Sequence, residues 1–187
     1  MEPDKLKLKN VTVKFVNRND SKYGESFAVL VDEHIDGCPY DNEEDSEEVK
    51  AITKWVKENK IGRGDNAGKP QFSKYDKDEV HSTYFYFRPG WDTNYTDLDG
   101  NKLSFSDIMA GSVISLTARA YPYTYTDAGI TTSGVTHKLT SVVVMKMGED
   151  RAYEDTQGLL AELLAEETKH DNEEEKTEEV DLSENPF

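Results

Sequence analysis

Ser112-Val-Ile-Ser-Leu-Thr-Ala-Arg-Ala-Tyr-Pro-Tyr-Thr-Tyr125 alternates from Ile114 to Tyr123. Its even positions, Ile114, Leu116, Ala118, Ala120 and Pro122, are apolar. Its odd positions, Ser115, Thr117, Arg119, Tyr121, Tyr123 and Tyr125, are polar or amphipathic. Side chains of a strand point alternately to opposite faces, so a period of two reads as a half-buried strand and not a helix. Thr83–Arg88 repeats the pattern: Phe85 and Phe87, with Thr83, point one way, and Tyr84, Tyr86 and Arg88 the other. The chain is expected to be mainly β, with both strands sending tyrosine and arginine to an open face.

Working outward, Leu6 and Leu8 alternate with lysines, and Val11, Val13 and Phe15 alternate with Thr12 and Lys14. The phase slips near Asn10, which predicts one long strand with a bulge. Ser26–Val31 reads as a second strand, with Asn17–Asp20 as the turn before it. Lys138–Met147 reads as a fifth. Asp45–Lys60 reads as a helix: Asp45 as N-cap, Glu48 three residues on, and Val49, Ile52 and Val56 on one face. Ile61–Pro70 is read as a flexible Gly-rich loop, Trp91–Lys102 and Thr126–Thr136 as further loops, and Ser106–Ala110 as a short helical turn. Five strands with a helix inserted midway predict a small closed β-barrel, of which the five-stranded OB-fold is the commonest nucleic-acid-binding case.

Charge divides the 187 residues unevenly. The whole chain carries 38 acids and 22 bases, net −16. Residues 149–187 hold 15 acids and 3 bases, and 32–48 hold 9 acids and no Lys or Arg, which leaves 14 acids against 19 bases in the rest. A mildly basic body with acidic appendages removes the objection that net charge alone raises to a nucleic-acid partner. Two domains are expected: a folded body over 1–150, and 151–187 as a short helix around Leu159–Leu164 followed by a tail. Residues 165–187 hold almost nothing apolar before Val180, so they are expected to be disordered. The tail closes on Asp181-Leu182-Ser-Glu184-Asn-Pro186-Phe187, an aromatic beside a carboxylate on a tether, which suits capture in a basic-rimmed pocket of a partner protein.

The five tyrosines Tyr84, Tyr86, Tyr121, Tyr123 and Tyr125, with Arg88 and Arg119, are the candidate site. Aromatic rings beside arginine on an open β-surface stack bases with little regard to sequence; the bland reading is cross-strand packing. Arg63 and Lys69 on the Gly-rich loop would close over a phosphate backbone. Trp91 either stacks a base or plugs the barrel end. The loop is not a P-loop, since Gly64 to Gly68 is one residue too short and Pro70 stands where Ser or Thr is needed. His34, His81, His137 and His170 are isolated, and Asp32–Cys38 lacks the paired spacing of a zinc site. No catalytic constellation, metal set or cofactor motif stands out, so the chain is read as a non-enzyme. One cysteine, Cys38, excludes an internal disulfide. No apolar run is long enough for a membrane span or secretory signal, and the expected setting is the cytoplasm.

Asp107-Ile-Met-Ala-Gly-Ser-Val-Ile-Ser-Leu116, Tyr121-Pro-Tyr123, and Gly129-Ile with Gly134-Val, Val142 and Gly148-Glu-Asp150 resemble the phage-encoded OB-fold single-stranded-DNA-binding proteins. The terminal Pro186-Phe187 is similar to the end of the bacterial version. The likeness is good over residues 105–155 and a matter of layout elsewhere. It implies coating of single-stranded DNA in a phage-infected bacterial cytoplasm during replication, recombination or repair. It also implies tail contacts with the replication machinery, for which a polymerase, primase-helicase or nuclease is the expected partner; monomer and homodimer both fit the sequence. The rival expectation is an acidic DNA mimic that binds a host enzyme.

Overall fold

The computed structural model describes residues 5–18, 24–36, 38 and 44–149, all within one unit, Met1–Glu149. Strand β1 (Lys5–Asn17) buries Leu6, Leu8, Val11 and Val13 although Leu8 and Val11 are three apart. A register shift between Leu8 and Val11 absorbs the odd spacing, with Asn10 at φ 56°. Asparagine tolerates that left-handed backbone better than most residues, and the Asn10 N–H donates to Ser115 Oγ at 3.2 Å. This is the bulge expected near Asn10. Strand β2 (Ser26–Ile35) pairs antiparallel with the second half of β1.

Helix α1 (Glu47–Glu58) follows. It is shorter than the expected Asp45–Lys60, and Ser46 is its cap, not Asp45. The Ser46 Oγ accepts from the Val49 N–H at 3.1 Å while its hydroxyl donates to the Val31 carbonyl of β2. A carboxylate has no proton for the second bond, whereas the Ser46 hydroxyl both caps the helix and anchors it to the sheet. Val49, Ile52, Trp55 and Val56 are the buried face.

Strands β3 (Ser73–Lys77) and β4 (Val80–Phe87) form a hairpin. Only Arg88 separates β4 from β5 (Pro89–Asp97), and β6 (Lys102–Leu103) pairs back on β5. Strands β7 (Val113–Asp127) and β8 (Ile130–Lys146) make the longest hairpin. Its turn residues Ala128 and Gly129 sit at φ 46° and 80°, two successive positive values that a two-residue turn between right-twisted strands requires.

The sheet order is β3-β4-β2-β1-β7-β8-β5-β6, antiparallel throughout except for β5 on β8. Strands β4 and β5 lie near opposite ends of that order yet are consecutive in the chain. Residues 80–97 therefore carry the backbone from one end of the sheet to the other, and at the crossing the Leu139 N–H donates to the Arg88 carbonyl at 2.9 Å. The ladder itself does not close. Phe27, Phe87, Val13, Val29, Ile114, Leu139 and Val142 are fully buried and form one cluster with Ile52 and Trp55 of α1.

The mainly β class and the inserted helix agree with the reading of the sequence, whereas a closed five-stranded barrel does not describe this sheet. The five expected strands are β1, β2, β4, β7 and β8. Three more exist among the described residues. Strand β3 is exposed along its whole length, and β5 buries only Tyr95, so neither shows the alternation that marks a strand. The expected loops over Trp91–Lys102 and Thr126–Thr136 are instead occupied by β5 with β6, and by the hairpin of β7 and β8. The turn expected at 17–20 falls partly outside the described residues. The helix around Leu159–Leu164 and the tail residues Asp181, Leu182, Glu184, Pro186 and Phe187 fall wholly outside them.

Candidate nucleic-acid interface

Among the described residues, β1 pairs with β7 only as far as Lys5↔Arg119, and β8 gains β5 only from Leu139. Over residues 121–136 the described ladder is a two-stranded ribbon, that of β7 with β8 alone. A lone hairpin is marginal in water, and this one is braced. The Gly62 N–H donates to the Val135 carbonyl at 2.8 Å and the Val135 N–H returns to the Gly62 carbonyl at 3.3 Å. Arg63 Nη2 donates to Thr132 Oγ1 at 3.0 Å. Gly62 sits at φ 118°, and a Cβ there would lie 2.8 Å from the Asn66 carbonyl oxygen, so the bracing turn demands glycine. Gly64–Asn66 forms a single 3₁₀ turn, and the Gly68 N–H closes the loop on the Ile61 carbonyl at 2.9 Å. The loop expected to be a flexible flap is fastened to β8.

Tyr123 pairs across the ribbon with Gly134. A Cβ on Gly134 would stand 2.7 Å from the Tyr123 hydroxyl oxygen, so the ring lies across the glycine in the space a side chain would fill. Tyr86 of β4 and Arg88, the residue that follows the strand, are both exposed. Loop, ribbon and β4 enclose a cleft of about 510 Å³ lined by Arg63, Lys69, Tyr86, Arg88 and Tyr123, with His137 among its walls and no Asp or Glu among its described lining residues.

His137 is a member of the site that sequence reasoning missed. Its phase on β8 matches Leu139, a core residue, and that shared phase was the available signal. The imidazole lies 5.3 Å from the Phe85 ring, 5.9 Å from Phe87 and 6.0 Å from Trp55. Its Nε2 donates to the Tyr86 carbonyl at 2.9 Å, which fixes the tautomer. Burial holds its pKa below the ordinary 6.5; the bond to Tyr86 opposes that and the Arg88 charge adds to it. The cleft thus rests on a neutral, positioned imidazole.

Of the expected site residues the structure gathers Arg63, Lys69, Tyr86, Arg88 and Tyr123 into one cleft. Tyr121 and Tyr125 share the Tyr123 face of the ribbon by alternation and are exposed, but they do not line the cleft, and neither does half-buried Arg119. Tyr84 departs from the expectation of an open ring: it is buried, with the Phe15 ring meeting it edge-on at 5.3 Å. Trp91 is 96% exposed, which rules out the expected alternative of a ring plugging a barrel end. It projects from residues 90–93, which loop out of the β5–β8 ladder. Thr93 pins that loop, its Oγ1 donating to the Leu139 carbonyl at 2.8 Å and accepting from the Gly90 N–H at 2.6 Å.

No family model matches the chain, and no curated protein does. Among solved structures it is similar to the single-stranded DNA-binding protein from bacteriophage Enc34. The C-terminally truncated form and the complex with single-stranded DNA each align over 79% of this chain and 89% of that chain, at 15% identity and a TM-score of 0.50. The chain has the fold of that protein.

Proposed function

We propose that this protein binds single-stranded DNA with little sequence preference and coats it during phage DNA replication. The observation that carries the reading is the cleft where Tyr86 and Tyr123 stand among Arg63, Lys69 and Arg88, with no acid among the described lining residues. Rings offer every base a face to stack on, worth about 1–3 kcal/mol per base, and the cations answer the phosphates. Trp91, Tyr121, Tyr125 and Arg119 extend the contact beyond the cleft. The fold shared with a phage protein solved with single-stranded DNA supports the same reading.

The acidic tail completes the proposal. Residues 149–187 carry a net charge of −12, suited to occupy the cationic cleft when DNA is absent and to release Phe187 to replication proteins when DNA arrives. The deciding experiment is a fluorescence titration with oligo-dT at two salt concentrations. Micromolar or tighter binding that weakens steeply with salt is expected. No binding at low salt sinks the proposal and leaves the acidic DNA-mimic reading.

A further inference from the structure

Phe15 stands on the unexpected side of its strand. Alternation from Val11 and Val13 would point it inward, but a register shift between Val13 and Phe15 on the β2 side cancels that phase. Lys14 is the extra residue, and Phe15 is left 46% exposed. Bulges that re-aim one side chain cluster beside functional surfaces. Phe15 pairs with Ala28 of β2, and Ala28 pairs with Tyr86 of β4, so the three form one row across the outer face. Ala28 is fully covered although it lies on that face between Phe15 and Tyr86. In the adjoining row, Thr12, Leu30, Tyr84 and Ser73, the buried Tyr84 ring supports Phe15 at 5.3 Å and 67°. Neither row contains an acid, and Lys14 is exposed beside Phe15.

This surface is continuous with the cleft, because Tyr86 lines one and belongs to the other. The cleft is also too small for a whole site. About 510 Å³ is the size of a pocket for a drug-sized ligand, whereas single-strand sites on such folds span roughly 4–16 nucleotides. The strand has to continue somewhere, and the rows over β4, β2 and β1 are acid-free and aromatic. Neighbouring strands lie about 4.8 Å apart, so Phe15 and Tyr86 stand roughly 10 Å apart, near three base steps of about 3.4 Å.

We propose that single-stranded DNA leaving the cleft crosses the outer face from Tyr86 over Ala28, and that Phe15 stacks a base there. This extension rests on the reading of the cleft as a DNA site. The test compares oligo-dT of about 4 and about 16 nucleotides on the full-length protein, its Phe15→Leu variant and its Tyr123→Ala variant, with thermal unfolding and sedimentation of each. Leucine keeps the apolar cover over Tyr84 but has no face to stack on. Phe15→Leu should lose roughly 5- to 150-fold on the long oligomer, nothing on the short one, and keep its unfolding midpoint, while Tyr123→Ala weakens both. Iodouracil within the long oligomer should photocrosslink to Phe15 of the unmutated protein. If that protein binds neither oligomer, the proposed function and this extension fall together. If it binds both and Phe15→Leu matches it on the long one, or loses equally on the two, or if the crosslink misses Phe15, the extension alone is overturned. A loss accompanied by a shift from dimer to monomer assigns the face to a second copy and overturns it as well.

Discussion

Gly134 matters for what it lacks. Its missing side chain leaves room for the Tyr123 ring against the ribbon, and an aromatic laid over a cross-strand glycine is a known way to shield a bare backbone. Gly134→Val should push that ring away. Oligo-dT affinity should then fall by about 1–3 kcal/mol, like Tyr123→Ala, with the unfolding midpoint moving little because both residues lie outside the sheet's core. Equilibrium titration beside a thermal melt checks both halves.

His137 supplies a second residue-level test. Its folded pKa is depressed, so below about pH 6.5 the unfolded chain takes up a proton that the native imidazole refuses. Stability contributed by the neutral ring is present above 6.5 and declines as pH falls toward the folded pKa. His81 runs the other way. Its ring nitrogens meet Asp76 at 2.9 Å and Asp36 at 3.1 Å, and the hydrogen bond to Asp76, then that to Asp36, raise its pKa. Its contribution is complete below 6.5 and is lost as pH rises through the raised value. His81 is solvent-exposed and screened, so His137 should dominate. Denaturant midpoints at pH 7.5 and 5.5 should fall with acidification in the unmutated protein and stay nearly level in His137→Gln, which keeps a donor for Tyr86.

At the scale of elements, α1 and the 61–71 loop each hang on one small residue. Ser46→Ala removes both the cap and the anchor to Val31 and should cost about 1–2 kcal/mol of unfolding free energy, with Ser46→Asp recovering only part. Gly62→Val meets the Asn66 carbonyl and unseats the bridge to Val135. It should weaken oligo-dT binding more than it lowers the melting temperature, since Arg63 and Lys69 lose their position. These elements also show what could be read in advance. Alternation sufficed for β1, β2, β4, β7 and β8, because each sends a run of alternate apolar side chains into the core. Strand β5 stayed hidden because its pairing is to β8, more than forty residues away, and a polar strand with one buried tyrosine carries no local signature. The cleft was half legible. Tyr86, Arg88 and Tyr123 follow from strand phase and Arg63 and Lys69 from charge, but phase alone sets Tyr84 on the open face, because it says nothing of what lies on top of a residue. The outward turn of Phe15 is not legible, because a bulge at Lys14 leaves no mark in composition.

Across the whole molecule, charge is the organising asymmetry: 15 acids and 3 bases in 149–187 against a body with excess cations outside 32–48. Removing residues 165–187 should therefore raise oligo-dT affinity at low salt, and the two proteins should converge as salt screens the competition. Equal affinities at low salt would remove the tail from the groove. The topology has its own molecule-wide effect. Residues 80–97 carry the backbone from one end of the sheet order to the other through a single linking residue, Arg88. A backbone nick made by an engineered protease site between Ala128 and Gly129 would sever only a solvent-side turn, and both arms would stay zipped. The same nick beside Arg88 would part the two edges it holds in tandem, and the body would melt in two steps instead of one.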